Sequence, residues 1–221
     1  MDTLGMGIVG CGWVAEEYIK AALHDGRVEV RALVSRTPGK PETYRQQYNL
    51  DATIGNDYEE MVRRNDIDLV VVSTPHDLHT GPVVAAAEAG KHVIIEKPVA
   101  LTMDDVRKQQ AAVNKTGVKT IVSFVLTWNP LLMTIDELIR TGALGNVFMV
   151  EVDYMHRIWC GAEKWLGSKK QAGSSFLAGG CHAVSAMQWF ARSEAVEVCA
   201  YSVQTENPND YPGPTTAVVK F

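Results

Sequence analysis

The stretch Leu4–Lys20, LGMGIVGCGWVAEEYIK, decides how the rest of the chain is read. An apolar run ending in Ile8 and Val9 meets Gly10, Cys11, Gly12, Trp13, Val14 and Ala15, then passes into a segment with helical spacing. The order is strand, tight turn, helix. The spacing fits the pattern G-x-G-x-x-G/A, in which each small residue has a mechanical reason. Gly10 permits the sharp turn, Gly12 lets the backbone come close to a pyrophosphate, and Ala15 lets the helix lie near the strand. The free N–H groups and the positive dipole end of that helix then face the anion. Glycine pairs also occur in plain βα turns, so these residues alone leave both readings open.

Downstream, strands and helices alternate. Val28 to Val34 is rich in β-branched residues and reads as the second strand, with helices expected over Lys40 to Tyr48 and Asp57 to Arg64. Asp68 to Ser73 is a nearly continuous apolar run, suited to a strand buried on both faces of a parallel sheet. Gly81 to Ala89 follows as a small-residue helix and Lys91 to Ile95 as another buried strand. Thr102 is a credible N-cap for a helix reaching Lys115, with Asp104 and Asp105 in its first turn, and Val118 to Phe124 closes the series. The alternation predicts a doubly wound parallel sheet of the Rossmann type.

Past Pro130 the style changes. One amphipathic helix is expected over Leu131 to Arg140, a long strand over Asn146 to His156, and a helix over His182 to Phe190. Ala195 to Thr205 and Thr215 to Phe221 read as strands joined by a polar, proline-containing turn. A chain of 221 residues suits a dinucleotide domain plus a smaller partner, here 1–123 and 124–221.

Composition narrows the function classes. A formal charge of −5 gives no reason to expect nucleic acid or an anionic membrane as partner. There is no basic segment followed by an apolar signal core, and no apolar run of membrane-spanning length, so the cytoplasm is the default expectation. Cys11, Cys160, Cys181 and Cys199 lack C-x-x-C spacing, which indicates free thiols and no zinc site. His76 and His79 are three apart without a third ligand, so a metal is not expected there either.

Where the second strand ends the chain reads Ser35, Arg36, Thr37, Pro38, Gly39, Lys40. An acid here would bond the ribose hydroxyls of NAD, and none is present. Arg36 can instead hold a 2′-phosphate through charge-assisted bonds, with Ser35 assisting, which favours NADP over NAD. The plainer alternative is a solvated loop arginine. Thr74, Pro75 and His79 stand past the carboxyl end of the strand Asp68 to Ser73, the edge at which open α/β sheets bind ligands.

Glu96, Lys97 and Pro98 make a resemblance specific. Together with Gly10 to Ala15, Thr74-Pro75 with His79, and Gly179-Gly180-Cys181-His182, they make the chain similar to the Gfo/Idh/MocA oxidoreductases over nearly its whole length. The resemblance implies a Rossmann domain followed by an α+β domain with an open, mainly antiparallel sheet, incomplete in so short a chain. It implies a nicotinamide cofactor, a carbohydrate-like substrate, and a homo-oligomer formed through the second sheet. It places Glu96 and Lys97 beside the cofactor, makes Lys97 catalytic at the reacting hydroxyl, and makes His182 the proton acceptor. Histidine titrates near neutral pH, which suits that task. The aspartates that flank this histidine in well-studied relatives are replaced by Ala178 and Ser185.

Tyr154 and His156 on the expected strand can substitute as acid, while Trp159 and Trp165 frame a loop able to stack on a sugar or to pack as core. Three functions follow from the resemblance. They are hydride exchange with a sugar or polyol, redox-assisted glycoside cleavage, and dinucleotide binding by a non-catalytic regulator.

Overall fold

The computed structural model describes residues 3–157, 160–206 and 208–221. The chain divides into two compact units, Met1–Ser123 and Phe124–Phe221. In the first, β1 (Leu4–Val9), β2 (Val28–Val34), β3 (Thr53–Gly55), β4 (Leu69–Val72), β5 (His92–Ile95) and β6 (Thr120–Val122) form one sheet in the order β3-β2-β1-β4-β5-β6. Every pairing is parallel. The order reverses between β1 and β4, and such a reversal opens a crevice at the carboxyl ends of the strands.

Apolar packing on both faces holds the sheet. On one face Ile8, Leu33 and Val71 pack with Ala15, Ile19 and Ala22 of α1 (Trp13–Asp25). On the other, Val70, Val72 and Val93 meet Met61 and Val62 of α3 (Tyr58–Val62) and Val83 and Ala86 of α4 (Thr80–Glu88). This two-sided burial is why β4 carries no polar alternation. Between β2 and β3 lies α2 (Lys40–Gln47), and α5 (Met103–Thr116) runs from β5 towards β6. Thr102 caps α5 as its sequence indicates, its hydroxyl accepting from the Asp105 N–H at 3.2 Å. Asp57 likewise sits outside α3 as its N-cap, so that helix is shorter at both ends than the spacing implies.

The second unit contains α6 (Pro130–Arg140), α7 (Lys169–Ala172), a π-helical turn Phe176–Gly180 leading into α8 (Cys181–Ala191), and a two-stranded antiparallel ladder of β7 (Glu197–Ser202) and β8 (Thr215–Lys220). The expected strand Asn146 to His156 is not formed: residues 146–156 have no regular structure. The reason is physical. A β-branched and aromatic composition favours a strand only against a neighbour that completes the ladder, and among the described residues β7 and β8 pair only with each other. Phe148, 96% exposed, and Met155, 91% exposed, are turned to solvent.

Candidate functional site

The first unit brings its fingerprint residues together at the crevice. Gly10 leaves β1 with φ +95°, and a β-carbon there would lie 2.6 Å from the Ser73 carbonyl oxygen, so no larger residue fits. The turn is fixed from both neighbouring strands. The Gly10 N–H donates to Val34 O at 2.8 Å, and the Ser73 hydroxyl donates to Gly10 O at 2.7 Å. Gly12 caps α1 in extended geometry, with no side chain bonded to the helix start and open space where a β-carbon would point. Its carbonyl is turned back by a 3.0 Å bond from the Tyr44 hydroxyl.

Of the other turn residues, Val14 is half-buried and Trp13 is 74% exposed at the mouth of the turn. Cys11 points inward to the core, and burial pushes its thiol up to about 12, outweighing the opposing effect of the Lys40 ammonium. Such a thiol packs and does not react.

Past β2, Arg36 is exposed and makes no ion pair among the described residues, while the Ser35 hydroxyl accepts from the Thr37 N–H at 3.1 Å. At the end of β4, the buried Thr74 hydroxyl has no hydrogen-bond partner among the described residues, which is costly for a polar group unless a ligand supplies one. Pro75 follows it and starts a short 3₁₀ turn. His79 is wholly buried; its Nε2 lies 2.9 Å from Thr74 O and its Nδ1 3.0 Å from Pro98 O. Burial lowers its pKa below the ordinary value, against the weaker pull of those carbonyls. His79 therefore sits beneath the crevice between the Thr74 and Pro98 carbonyls, and as a neutral ring it donates to one of them at a time.

Glu96 and Lys97 extend β5 at the same sheet edge, and both are half-buried. The Glu96 carboxylate accepts from the Tyr18 hydroxyl at 2.8 Å and from the Lys97 N–H at 3.3 Å, and Tyr18 also meets the Ser123 hydroxyl. Burial pushes the Tyr18 phenol well above its ordinary range. Tyr18 and Ser123 carry no local sequence signal, because their link to Glu96 spans the whole unit.

In the second unit His182 opens α8 and is buried. Its ring lies 5.2 Å from that of Tyr154 and 5.9 Å, edge-on, from that of Phe124. Tyr154 in turn stacks on His156 at 6.2 Å. Tyr154 and His156 line a cavity of about 190 Å³ with Arg157, Ser175 and Asn209. Asn209 and Arg157 were not legible beforehand, since both lie in irregular segments. Trp165 lies in a 3₁₀ turn, Trp165–Gly167, and is not among the residues that line that cavity. Trp159 lies outside the described residues. No group of three or more His, Cys, Asp or Glu able to hold a metal occurs among the described residues. No helix among them is long and apolar enough to cross a membrane.

Comparison with known proteins adds an independent line. A model described as an oxidoreductase family with an NAD-binding Rossmann fold, GFO_IDH_MocA, matches residues 4–124, and a GFO/IDH/MocA C-terminal domain matches residues 132–221. A 1-carboxy-3-chloro-3,4-dihydroxycyclohexa-1,5-diene dehydrogenase from Comamonas testosteroni is 25% identical over 98% of this chain and 54% of its own length. A D-xylose 1-dehydrogenase (NADP(+)) from Haloferax volcanii is 28% identical over 83% of this chain and 56% of its own. The chain thus spans about half the length of the curated relatives it matches. Among solved structures, an aldose-aldose oxidoreductase from Caulobacter crescentus complexed with glycerol superimposes with a TM-score of 0.84 at 26% identity, covering 98% of this chain and 67% of that one.

Proposed function

The chain belongs to the Gfo/Idh/MocA oxidoreductase family, and from that premise we propose that it is an NADP-preferring oxidoreductase acting on a hydroxyl or carbonyl carbon of a sugar, polyol or related compound. The observation that carries the reading is the turn from Gly10 to Gly12. It leaves an uncapped helix start with open space where a Gly12 side chain would stand, which fits the close approach of a pyrophosphate. In this reading Gly10, Cys11, Gly12, Trp13 and Val14 supply backbone contacts to the diphosphate. Ser35 and Arg36 receive the 2′-phosphate, and Thr74, Pro75 and Glu96 shape the nicotinamide half.

The bound dinucleotide supplies or accepts the hydride. Lys97 holds and orients the substrate hydroxyl, and His182 exchanges its proton, with Tyr154 beside it to fix the imidazole plane. Tyr154, His156 and Trp165 are the proposed carbohydrate contacts, with Trp159 assigned on sequence grounds alone. Relatives acting on sugars support the substrate class.

Calorimetry tests the cofactor. NADP(H) should bind more tightly than NAD(H), and Arg36→Asp should reverse the order, since a charge-assisted phosphate contact contributes on the order of 1.5–3 kcal/mol. Equal or tighter NAD(H) binding by the parent chain refutes the preference. Lys97→Ala should leave dinucleotide affinity nearly intact while lowering turnover by ~10²–10⁴.

A second reading, a non-catalytic dinucleotide-binding regulator, is favoured by one observation. Ala178 and Ser185 place no carboxylate on the turn and helix that carry His182. Tight dinucleotide binding without hydride exchange towards any sugar or polyol decides for it.

A further inference from the structure

Gln109 is out of place. On α5 the inward stripe runs through Val106, position 109 and Ala112, where packing alone would select an apolar side chain, yet Gln109 is buried to 4% exposure. Burying an amide costs free energy unless its bonds are made. Its Nε2 donates to Thr80 Oγ1 and to Val99 O, both at 3.0 Å, while its Oε1 has no partner among the described residues. A core chosen for packing would not keep such a group. The two donor bonds have a direction: one reaches the start of α4, the other the backbone just after Lys97.

His79 works on the same loop. Its Nδ1 meets the Pro98 carbonyl and its Nε2 the Thr74 carbonyl. On the other side of Lys97, Glu96 is fixed through its N–H to Val72 O at 2.9 Å and through its carboxylate by Tyr18. The backbone on both sides of Lys97 is thus held by buried polar groups. A lysine ammonium rides on four flexible carbons, so its placement depends on how well its backbone is fixed.

We propose that His79 and Gln109 form a buried clamp on the Pro98 and Val99 carbonyls that positions Lys97 against the nicotinamide. Both are positioning residues, and the proposal rests on the reading of Lys97 given above.

The test follows Lys97 by its acetylation rate, read by mass spectrometry on the intact chain, with thermal unfolding and NADPH affinity measured in parallel. In the parent, saturating NADPH should slow acetylation of Lys97 about tenfold, and 2′-phospho-ADP-ribose, which lacks the nicotinamide, should not. Gln109→Leu fills the stripe without the donor. It should keep the parent's melting temperature and NADPH affinity and lose the protection.

The His79 pair decides the matter if Gln109→Leu does not fold. The amide of His79→Asn stands where Nδ1 stands and should retain protection, whereas that of His79→Gln reaches towards Thr74 and should lose it. Full protection in Gln109→Leu, or in both His79 variants, overturns the clamp. Protection lost only in step with melting temperature and NADPH affinity also overturns it, because a merely structural role predicts that. If NADPH fails to protect Lys97 in the parent, the reading of Lys97 falls and takes the clamp with it.

Discussion

Strands β1 and β8 are both six residues long, yet they live in different surroundings. β1 has neighbours on both edges and helices on one or other face along its length, and five of its six residues are buried. Among the described residues β8 pairs only with β7, whose six residues are all exposed. In the ladder, Val198 opposes Val219 on one face and Cys199 opposes Val218 on the other, so apolar side chains stand on both faces. The strands differ in composition, LGMGIV against TTAVVK, but each carries apolar side chains, and the larger difference is how much of that apolar surface finds a partner. Strand sequence therefore states a demand for burial, and tertiary context alone meets it.

Truncation should give the largest expression of this difference. Ile8, with no exposed surface, packs among Ala15, Ile19 and Leu33, so Ile8→Ala should cost about 2–5 kcal/mol by transfer and cavity terms together. Val198→Ala, at a position 66% exposed, should fall within about 0.5 kcal/mol of the parent. Urea unfolding of each variant checks the pair, and equal losses at the two positions would break the comparison.

Next in size is a contrast inside the first unit. Gly10→Ala forces a side chain into positive φ and against the Ser73 carbonyl, and should destabilise by about 2–4 kcal/mol. Gly12→Ala meets nothing, so its melting temperature should stay near the parent's while dinucleotide affinity falls. Scanning calorimetry and binding titration on both variants separate a glycine needed by the fold from one needed by the ligand.

How much could be read beforehand follows the same line. Leu4–Lys20 was legible because turn, strand and helix are set by neighbours in sequence, and β2, β4, β5 and β6 were legible from their apolar runs, while their order in the sheet was not read. β3, Thr53–Gly55, carried no signal: it is a three-residue exposed edge whose existence depends on pairing with Ala32 to Val34. Asn146 to His156 carried a strong strand signal and no partner to satisfy it. Within the site, Gly10 and Gly12 announced themselves by spacing, whereas Tyr18 joins Glu96 across 78 residues and Ser123 across 105. Gln109 was the missed opportunity, since a polar residue inside an apolar stripe is visible in sequence.

A buried histidine sharpens the contrast through pH. Burial lowers the pKa of His79 below the ordinary 6.5, so between the two values the unfolded chain binds a proton that the folded chain resists. Stability from this group is fully present above about pH 6.5 and is lost as pH falls towards the lowered folded value. Melting temperature should drop from pH 7.5 to 5.5 in the parent, and the drop should shrink in His79→Asn. An identical drop in both would show that His79 contributes nothing to the acid sensitivity.

The smallest free-energy effect should come from the ladder, and the largest local one in dynamics. A two-stranded pair without a third neighbour is marginal in water, and β7–β8 shows Val198, Tyr201 and Val218 to solvent at 66%, 75% and 74% exposure. Its amides should exchange with deuterium through local opening, orders of magnitude faster than those of Ile8 and Val71, which wait for global unfolding. The same exposed side chains should bind a hydrophobic dye and promote association between copies. Val198→Thr with Val218→Thr keeps β-branching on both strands while removing two methyl groups from the exposed faces. The double variant should leave thermal stability within about 0.5 kcal/mol, reduce dye binding and shift sedimentation towards the monomer. If β7–β8 exchanges as slowly as β1 in a monodisperse monomer, the ladder is as well supported as the six-stranded sheet and the contrast between the strands fails.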